Sequence, residues 1–477
     1  MGKLAKNYIY NVAYQILIIL TPIITAPYLT RVLGASNLGI YSYVNSVGSI
    51  VTTVSLLGIY AYGNRQTAYV RDNKEELTKT FWELELTRLV LGGIGTAVYL
   101  FYLSFEPEYR FYFLIYYPYI LAQFLDCSWV YVGLEDMRPA VVKNFLTKLV
   151  NVAGIFLLVK KREDVWIYIF MLAATTLIAN ISVYSQLPKY IGKPAADRKQ
   201  ILPHIRGSIH LFLPQVASLF YLQVDKVMLE WLTGTTEQVS FYDQAEKIIT
   251  IPLSLITVMS TVMMPRIANE FKKNNKERIQ QLLIQGGRYA LFLAFPMLFG
   301  LLCISRQFIP WYLGEEYMPT AYAMMILVPI VLFNSLSGIS GSQYFTATNQ
   351  TGMLMKAYLS AAIMNVIVNF VTIPKIGYAG AAAATVISSL TSVAIQFYNL
   401  SKQVRLGQLV PYGIRYGLYS GLMAWAVSLI SYRMPAGAMT TMMQVITGGS
   451  VYLLCLWIFK DETLFDMIHL LKKRWKK

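Results

Sequence analysis

Apolar residues come in blocks of about twenty, set apart by short stretches holding charge, proline and glycine. The blocks fall at 8–33, 38–62, 81–103, 111–134, 139–160, 165–187, 208–233, 238–264, 288–305, 320–345, 352–374, 378–400, 411–432 and 440–459. A helix needs roughly twenty apolar residues to cross a hydrocarbon core. The pattern therefore predicts an all-α polytopic membrane protein of about 14 transmembrane helices. The first block is too long for a secretory core and has no small-residue cleavage site after it, so it is expected to remain as the first span.

Composition agrees, since 56% of the 477 residues are hydrophobic and 14% charged, against roughly 25% charged in soluble chains. The net charge of +16 would suggest nucleic acid on a soluble protein. In a membrane protein it reflects cytoplasmic loops, and no nucleic acid partner is expected. With the N-terminus inside, the inner segments carry 29 Lys and Arg and the outer segments 8, with Lys160-Lys161-Arg162 the local exception. Both termini are expected in the cytoplasm. The tail places Leu464, Phe465, Ile468, Leu471 and Trp475 on one side and Lys/Arg on the other, the pattern of an interfacial helix on an anionic leaflet. No connection is long enough for a folded domain outside the bilayer.

The two halves share a repeat. Leu33-Gly34-Ala35-Ser36-Asn37-Leu38-Gly39-Ile40-Tyr41 leads into span 2, and Leu232 to Tyr242 leads into span 8; Tyr41 to Arg65 and Tyr242 to Arg266 are each 24 residues. Six spans followed by six related spans make a parallel repeat, a layout common in transporters. The expected organisation is an N-terminal lobe (1–187), a cytoplasmic linker (188–207), a C-terminal lobe (208–400), two appended spans (401–459) and a basic tail (460–477).

Charges within spans are costly and are functional candidates. Asp225 and Lys226 close span 7, and Asp243, Glu246 and Lys247 open span 8, all in the outer half of the bilayer. Asp243 and Lys247 have the i,i+4 spacing and order that favour an ion pair. These five residues either line a wet cavity or join two helices by pairing. Arg31 ends span 1 on the outer side, where its guanidinium suits phosphate or serves as an anchor. Glu85 and Arg88, three apart in span 3, read best as a mutual pair, with Arg88 and the span-ending Arg65 as further candidate cations for an anionic substrate. Asp126 and Lys148 also fall within spans. Span 1 is polar and broken, with Asn11, Tyr14, Gln15, Thr21, Thr25 and Thr30 beside Pro22 and Pro27, two prolines that should kink it and could form a gate. The 35 tyrosines suit interfaces and sugar stacking.

Cys127, Cys303 and Cys455 are isolated and read as core; His204, His210 and His469 share no helical spacing, so no metal site is expected. Phosphate-binding loops, HExxH and GxSxG are absent from the sequence, which offers no support for ATP use or hydrolysis and implies no cofactor.

Pro27-Tyr28-Leu29-Thr30-Arg31-Val32-Leu33-Gly34 with Gly39-Ile40-Tyr41 resembles the polysaccharide transporter (Wzx-type) branch of the multidrug/oligosaccharidyl-lipid/polysaccharide exporter superfamily. So do Tyr62-Gly63-Asn64-Arg65 with Val70-Arg71-Asp72, Val224 to Leu229, Tyr242 to Lys247, and Met264-Pro265-Arg266. Ser240 stands where family members carry a glycine. The resemblance implies two six-helix lobes around a central cavity lined by spans 1, 2, 7 and 8, working by alternating access in a bacterial cytoplasmic membrane. It implies a flippase for undecaprenyl-diphosphate-linked oligosaccharide of a capsule or teichoic-acid type, driven by H+ or Na+ exchange. On it, Arg31, Lys226, Lys247, Arg65 and Arg88 contact substrate, Asp225, Asp243 and Glu246 couple the ion, and Pro22 and Pro27 form the gate. A polysaccharide polymerase is a further candidate partner. The alternatives are a multidrug exporter of the same superfamily and a membrane-embedded polymerase or glycosyltransferase.

Overall fold

The computed structural model describes residues 3–219 and 223–466, which are helical with short connections and contain no strand. Among the described residues the apolar blocks fall mostly on helix, with breaks at 57–58, 125–127 and 328–329. In order the helices are α1 (Lys3–Leu56), α2 (Ile59–Val70), α3 (Lys74–Tyr102), α4 (Arg110–Phe124), α5 (Ser128–Gly133), α6 (Arg138–Leu158), α7 (Val165–Val183), α8 (Ile201–Leu219) and α9 (Asp225–Thr233). They continue with α10 (Thr236–Lys272), α11 (Lys276–Tyr312), α12 (Met318–Leu327), α13 (Ile330–Ser337), a π-helical stretch (Gly338–Thr346), α14 (Thr351–Ile376), α15 (Tyr378–Ser401), α16 (Leu409–Arg433) and α17 (Ala438–Ile458). Among the described residues seven helices are by themselves long and apolar enough to cross a membrane, or up to ten if each of three bent pairs is one span.

Side chains are distributed as a bilayer requires. On α3, Leu89, Ile94 and Val98 are exposed while Glu83, Glu85 and Arg88 are buried; on α14, Ile363, Ile367 and Phe370 face outward and Asn365 and Asn369 inward. On α14 the i,i+4 spacing of Ile363 and Ile367 and of Asn365 and Asn369 sets each pair on one helix face, so that an apolar face meets lipid and polar groups meet one another. This is an integral membrane protein. Four tyrosines serve this arrangement: Tyr28 donates to Val159 O (2.6 Å), Tyr99 to Phe113 O (2.9 Å), Tyr131 to Val183 O (2.7 Å) and Tyr452 to Phe292 O (2.8 Å), each tying two segments together.

Chain contacts divide the protein into two compact units, Met1–Ser240 and Phe241–Lys477, with the boundary inside α10. In the first, α1 packs on α3, α4, α6 and α9, while α2 and α3 hold α8. Its core gathers Ile59, Leu77, Phe81, Leu84, Trp129 and Val183. In the second, α14 packs on α15, and α11 on α16 and α17, around Leu291, Phe292, Tyr416, Met423 and Leu456.

Local sequence explains the breaks. Asn73 caps α3, its side chain accepting from the backbone of Glu75 (3.0 Å) and Glu76 (3.4 Å), and both glutamates favour the positive helix end. α1 stays helical through Pro22 and Pro27, and its one non-helical residue is Gly34, at φ 76° and ψ 175°. This departure lies seven residues after Pro27, at a residue whose lack of a Cβ makes positive φ inexpensive. Hydroxyls line the proline segment, with Thr21 donating to Leu17 O, Thr25 to Thr21 O and Thr30 to Ala26 O at 2.7–2.9 Å. The side chains of Asn11, Tyr14 and Gln15 lie outside those described, as do Ile468, Leu471 and Trp475 of the expected tail helix. Of the cysteines, Cys127 and Cys455 are buried and Cys303 is intermediate.

A Cβ on Gly39 would lie 1.7 Å from the backbone oxygen of Thr236, whereas one on Gly93 would meet nothing within 4 Å. Gly39→Ala should therefore destabilise the detergent-solubilised protein by about 1–3 kcal/mol in thermal unfolding, the usual cost of overpacking. Gly93→Ala should leave stability unchanged or raise it by up to about 1 kcal/mol.

Candidate functional site

The residues around Gly34 form an elbow between two helical segments. Arg31 is exposed just before it and donates to Pro27 O (2.7 Å); Asn37, just after, donates to Leu33 O (3.1 Å) and Arg162 O (2.8 Å). The start of α10 seats on this elbow, with Thr236 Oγ1 donating to Ser36 O (3.0 Å) beside the close approach at Gly39. The matching segments of the internal repeat, Leu33 to Tyr41 and Leu232 to Tyr242, therefore touch each other.

Next to the elbow a polar knot joins four segments. Tyr43 Oη, on α1, donates to Glu106 Oε1 (2.8 Å) and lies 2.7 Å from Tyr102 Oη, which also donates to Glu106 (2.8 Å). Trp231 Nε1, on α9, reaches Tyr43 Oη at 3.0 Å and Tyr102 Oη at 3.2 Å. Tyr43 is fully buried, and Glu230 beside Trp231 is buried too. Sequence reasoning missed Glu106, Glu230 and Trp231. Glu106 lies in a loop, and nothing in its local pattern connects it to residues more than a hundred positions away.

Asp225 and Lys226 sit in the first turn of α9, both buried, within the first unit. Asp243, Glu246 and Lys247 lie on α10 beyond the unit boundary. There the expected ion pair is formed: Lys247 Nζ is 2.6 Å from Asp243 Oδ2, with the carboxylate buried and the lysine partly exposed. Glu246 is buried on the same helix, and neighbouring Tyr242 Oη is 2.8 Å from Thr385 Oγ1 on α15. The five charges of spans 7 and 8 are thus shared between two units.

The other candidate cations are placed differently. Arg65 is exposed on α2, its guanidinium 5.6 Å from the Tyr62 ring centroid. Arg88 is 2% exposed and donates to Glu85 Oε2 (2.8 Å) and to Phe124 O (2.9 Å), a carbonyl at the end of α4. Tyr184 donates to the other oxygen of Glu85. The mutual pair read from the sequence is present, and it also satisfies a helix end.

That helix end is the centre of a second buried network. Asp126 lies in the break between α4 and α5, not inside a helix, and accepts from Ser128 N (3.0 Å). Lys143 Nζ donates to Asp126 Oδ1 (3.1 Å), Ser128 Oγ (2.7 Å) and Asn180 Oδ1 (2.8 Å), and Asn180 donates to Ala122 O (2.7 Å). Lys143 is one of the 29 Lys and Arg that the alternation of spans assigns to the inner segments. Its ammonium is instead buried with three acceptors, which matches its three donors. Among the described residues no group of three His, Cys, Asp or Glu could hold a metal ion.

The comparisons with known proteins agree with this architecture. A family model described as polysaccharide biosynthesis protein matches residues 4–271, and one described as lipid II flippase MurJ matches residues 143–458. An Escherichia coli K12 protein named as an O-antigen transporter is 23% identical over 415 residues, covering 84% of this chain and 98% of its own. A solved structure of lipid II flippase MurJ in an inward closed conformation superimposes with a TM-score of 0.75 at 18% identity, covering 96% of this chain and 99% of the other. An inward-facing multidrug resistance MATE family transporter of the MOP superfamily follows at 0.62 and 14% identity, covering 80% and 95%. The fold is that of these polytopic transporters.

Removing one partner of a buried pair leaves an uncompensated charge, at a cost of about 3–5 kcal/mol, whereas replacing both with apolar residues is close to neutral. Arg88→Met should accordingly destabilise the protein strongly, and Glu85→Leu with Arg88→Met should recover most of the loss in thermal unfolding. A substrate contact at Arg88 would show instead as lost activity in the stable double variant.

Proposed function

The chain belongs to the polysaccharide biosynthesis protein family and, over residues 143–458, to the lipid II flippase MurJ family, and from that premise we propose that it flips undecaprenyl-diphosphate-linked oligosaccharide. The substrate would move from the cytoplasmic to the outer leaflet of a bacterial plasma membrane, with both termini of the protein cytoplasmic. The observation that carries this reading is that the two family models together run through nearly all the apolar blocks.

The physical task is set by the headgroup. A diphosphate and several sugars entering hydrocarbon unaided would lose water from many polar groups, at several kcal/mol each. A protein that opens alternately to each side replaces that hydration stepwise through a two-state motion, and no bond need be broken. Exposed Arg31 and Arg65 offer guanidinium forks to phosphate, and Lys226 and Lys247 supply further positive charge. Asp225, Asp243 and Glu246 are the carboxylates for H+ or Na+ coupling. Pro22 and Pro27 lie in the helix that leads to the elbow, where a gate would move. On this reading the protein acts without chemistry of its own and hands its product to a polymerase. Its domain organisation would follow the internal repeat, with the 188–207 linker between the two six-span lobes, whereas by packing α8 and α9 join the first compact unit.

The Lys/Arg distribution puts the elbow on the outer side, so the Thr236–Ser36 bond and the Trp231 knot close that side and must open to release substrate. In a background lacking Cys127, Cys303 and Cys455, a disulfide between Ser36→Cys and Thr236→Cys should slow flipping at least about tenfold and reducing agent should restore it. Undiminished flipping by the cross-linked protein would remove this contact from the cycle.

The reading as a whole is tested in liposomes with a labelled lipid-linked oligosaccharide and an external probe. Protein-dependent change in leaflet accessibility is expected, with Ala at Arg31, Lys226 and Lys247 lowering the rate at unchanged protein abundance. Elongation of the glycan without any change in accessibility would favour the polymerase alternative.

A further inference from the structure

One cluster of titratable groups stands apart from everything above. His204, in the first turn of α8, is 8% exposed. Its Nε2 lies 3.3 Å from Glu83 Oε2 on α3, and its Nδ1 lies 3.3 Å from Tyr62 Oη on α2. The imidazole and phenol rings meet edge to face with centroids 5.8 Å apart. Glu83 is 5% exposed, and its second oxygen, Oε1, accepts no hydrogen bond; Lys79 Nζ stands 3.9 Å from it. The packing is tight, since a Cβ on Gly207 of α8 would come within 2.5 Å of the Tyr62 ring. The same end of α3 also holds the preceding linker: Trp82 Nε1 donates to Gly192 O (3.1 Å) and Thr78 Oγ1 accepts from Gly192 N (2.9 Å).

We propose that Tyr62, His204 and Glu83 form a proton-binding site whose occupancy clamps the start of α8 onto α3. In the neutral ring, Nε2–H donates to Glu83 and Nδ1 accepts from the Tyr62 hydroxyl, so both nitrogens are satisfied. Protonation makes Nδ1 a donor to the Tyr62 oxygen and sets a positive charge against a buried carboxylate with a lone pair to spare. A charge-assisted bond to a carboxylate is about twice as strong as a neutral one. The charges placed next to the cluster are Lys79 on α3 and Arg65 on α2, whose guanidinium lies over Tyr62; along the chain before and within α8 come Asp197, Arg198, Lys199 and Arg206. These cations oppose the added charge and Glu83 favours it, but only Glu83 is in direct contact with the ring.

The direction follows from linkage. If the clamped arrangement binds the proton more tightly than the released one, as the buried carboxylate beside the ring favours, the clamp is firmer at lower pH and loosens as pH rises. The cluster lies on the side that the Lys/Arg distribution assigns to the cytoplasm, so flipping would respond to internal pH. That regulatory consequence rests on the flippase reading, whereas the proton site itself does not.

The test is hydrogen–deuterium exchange of the detergent-purified full chain at pH 6 and pH 8, corrected for intrinsic rates and read in peptides spanning 201–209. Uptake of one proton can change the opening equilibrium by at most about tenfold per pH unit. Protection in the wild type should be at least about threefold higher at pH 6, and the difference should vanish in both His204→Gln and Glu83→Gln. Equal protection at the two pH values in the wild type, or a difference that survives in either variant, would overturn the proposal. Glu83→Gln keeps the test open should His204→Gln fail to fold. A pH response of exchange in a protein that shows no flipping in liposomes would leave the proton site standing and count against the flippase reading alone.

Discussion

Hydrocarbon offers no hydrogen bonds, and the rest of the molecule follows from that lack. Every backbone group at membrane depth must be paired within the protein, which selects helices, and every polar side chain must find a partner inside. The buried tyrosines that donate to carbonyls of distant segments, and Lys143 with its three acceptors, are solutions to this one problem. So is Arg88, which neutralises Glu85 while satisfying a carbonyl at the end of α4. The break between α4 and α5 is tolerable at that place because charged side chains supply what the interrupted helix cannot.

What the sequence reveals depends on how far apart the interacting residues are. Helix positions were legible because hydropathy is summed over a window, and α14 and α15 sit almost where their apolar blocks end. The Asp243–Lys247 and Glu85–Arg88 pairs were legible because both partners lie within one turn. The networks around Lys143, His204 and Trp231 were not, since their partners are separated by tens to more than a hundred residues and no local periodicity joins them. Lys143 also misled by position: near a span end, a cation that is buried looks like one that faces water. The break in α1 was expected at the prolines because they carry the stronger local signal, whereas the residue with non-helical backbone is Gly34.

The candidate site shows two kinds of charge with different physical roles. Charges saturated by fixed partners, such as Lys143 and Arg88, hold packed helices in one arrangement. Arg31, Arg65 and Lys247 keep part of their surface in contact with solvent, and their fields can act on a mobile anion. The hydrogen-bonded knot around Tyr43 belongs to neither kind. It is built largely from hydroxyl and indole groups, whose bonds are strong enough to hold a segment and weak enough to exchange for water.

The boundary between the two compact units falls inside α10 and not in a loop, and this limits how such a chain could be assembled from pieces. A gene split at that boundary would yield fragments ending in raw helix turns with unpaired backbone groups at membrane depth. A break in the irregular segment between Tyr190 and Asp197 would cut no helix. The fragment beginning there would carry α8 and α9, which pack on α1, α2 and α3 of the other piece. The chain is therefore divisible by covalent structure at one place and by packing at another, and α8 and α9 are the part by which the two fragments would recognise each other.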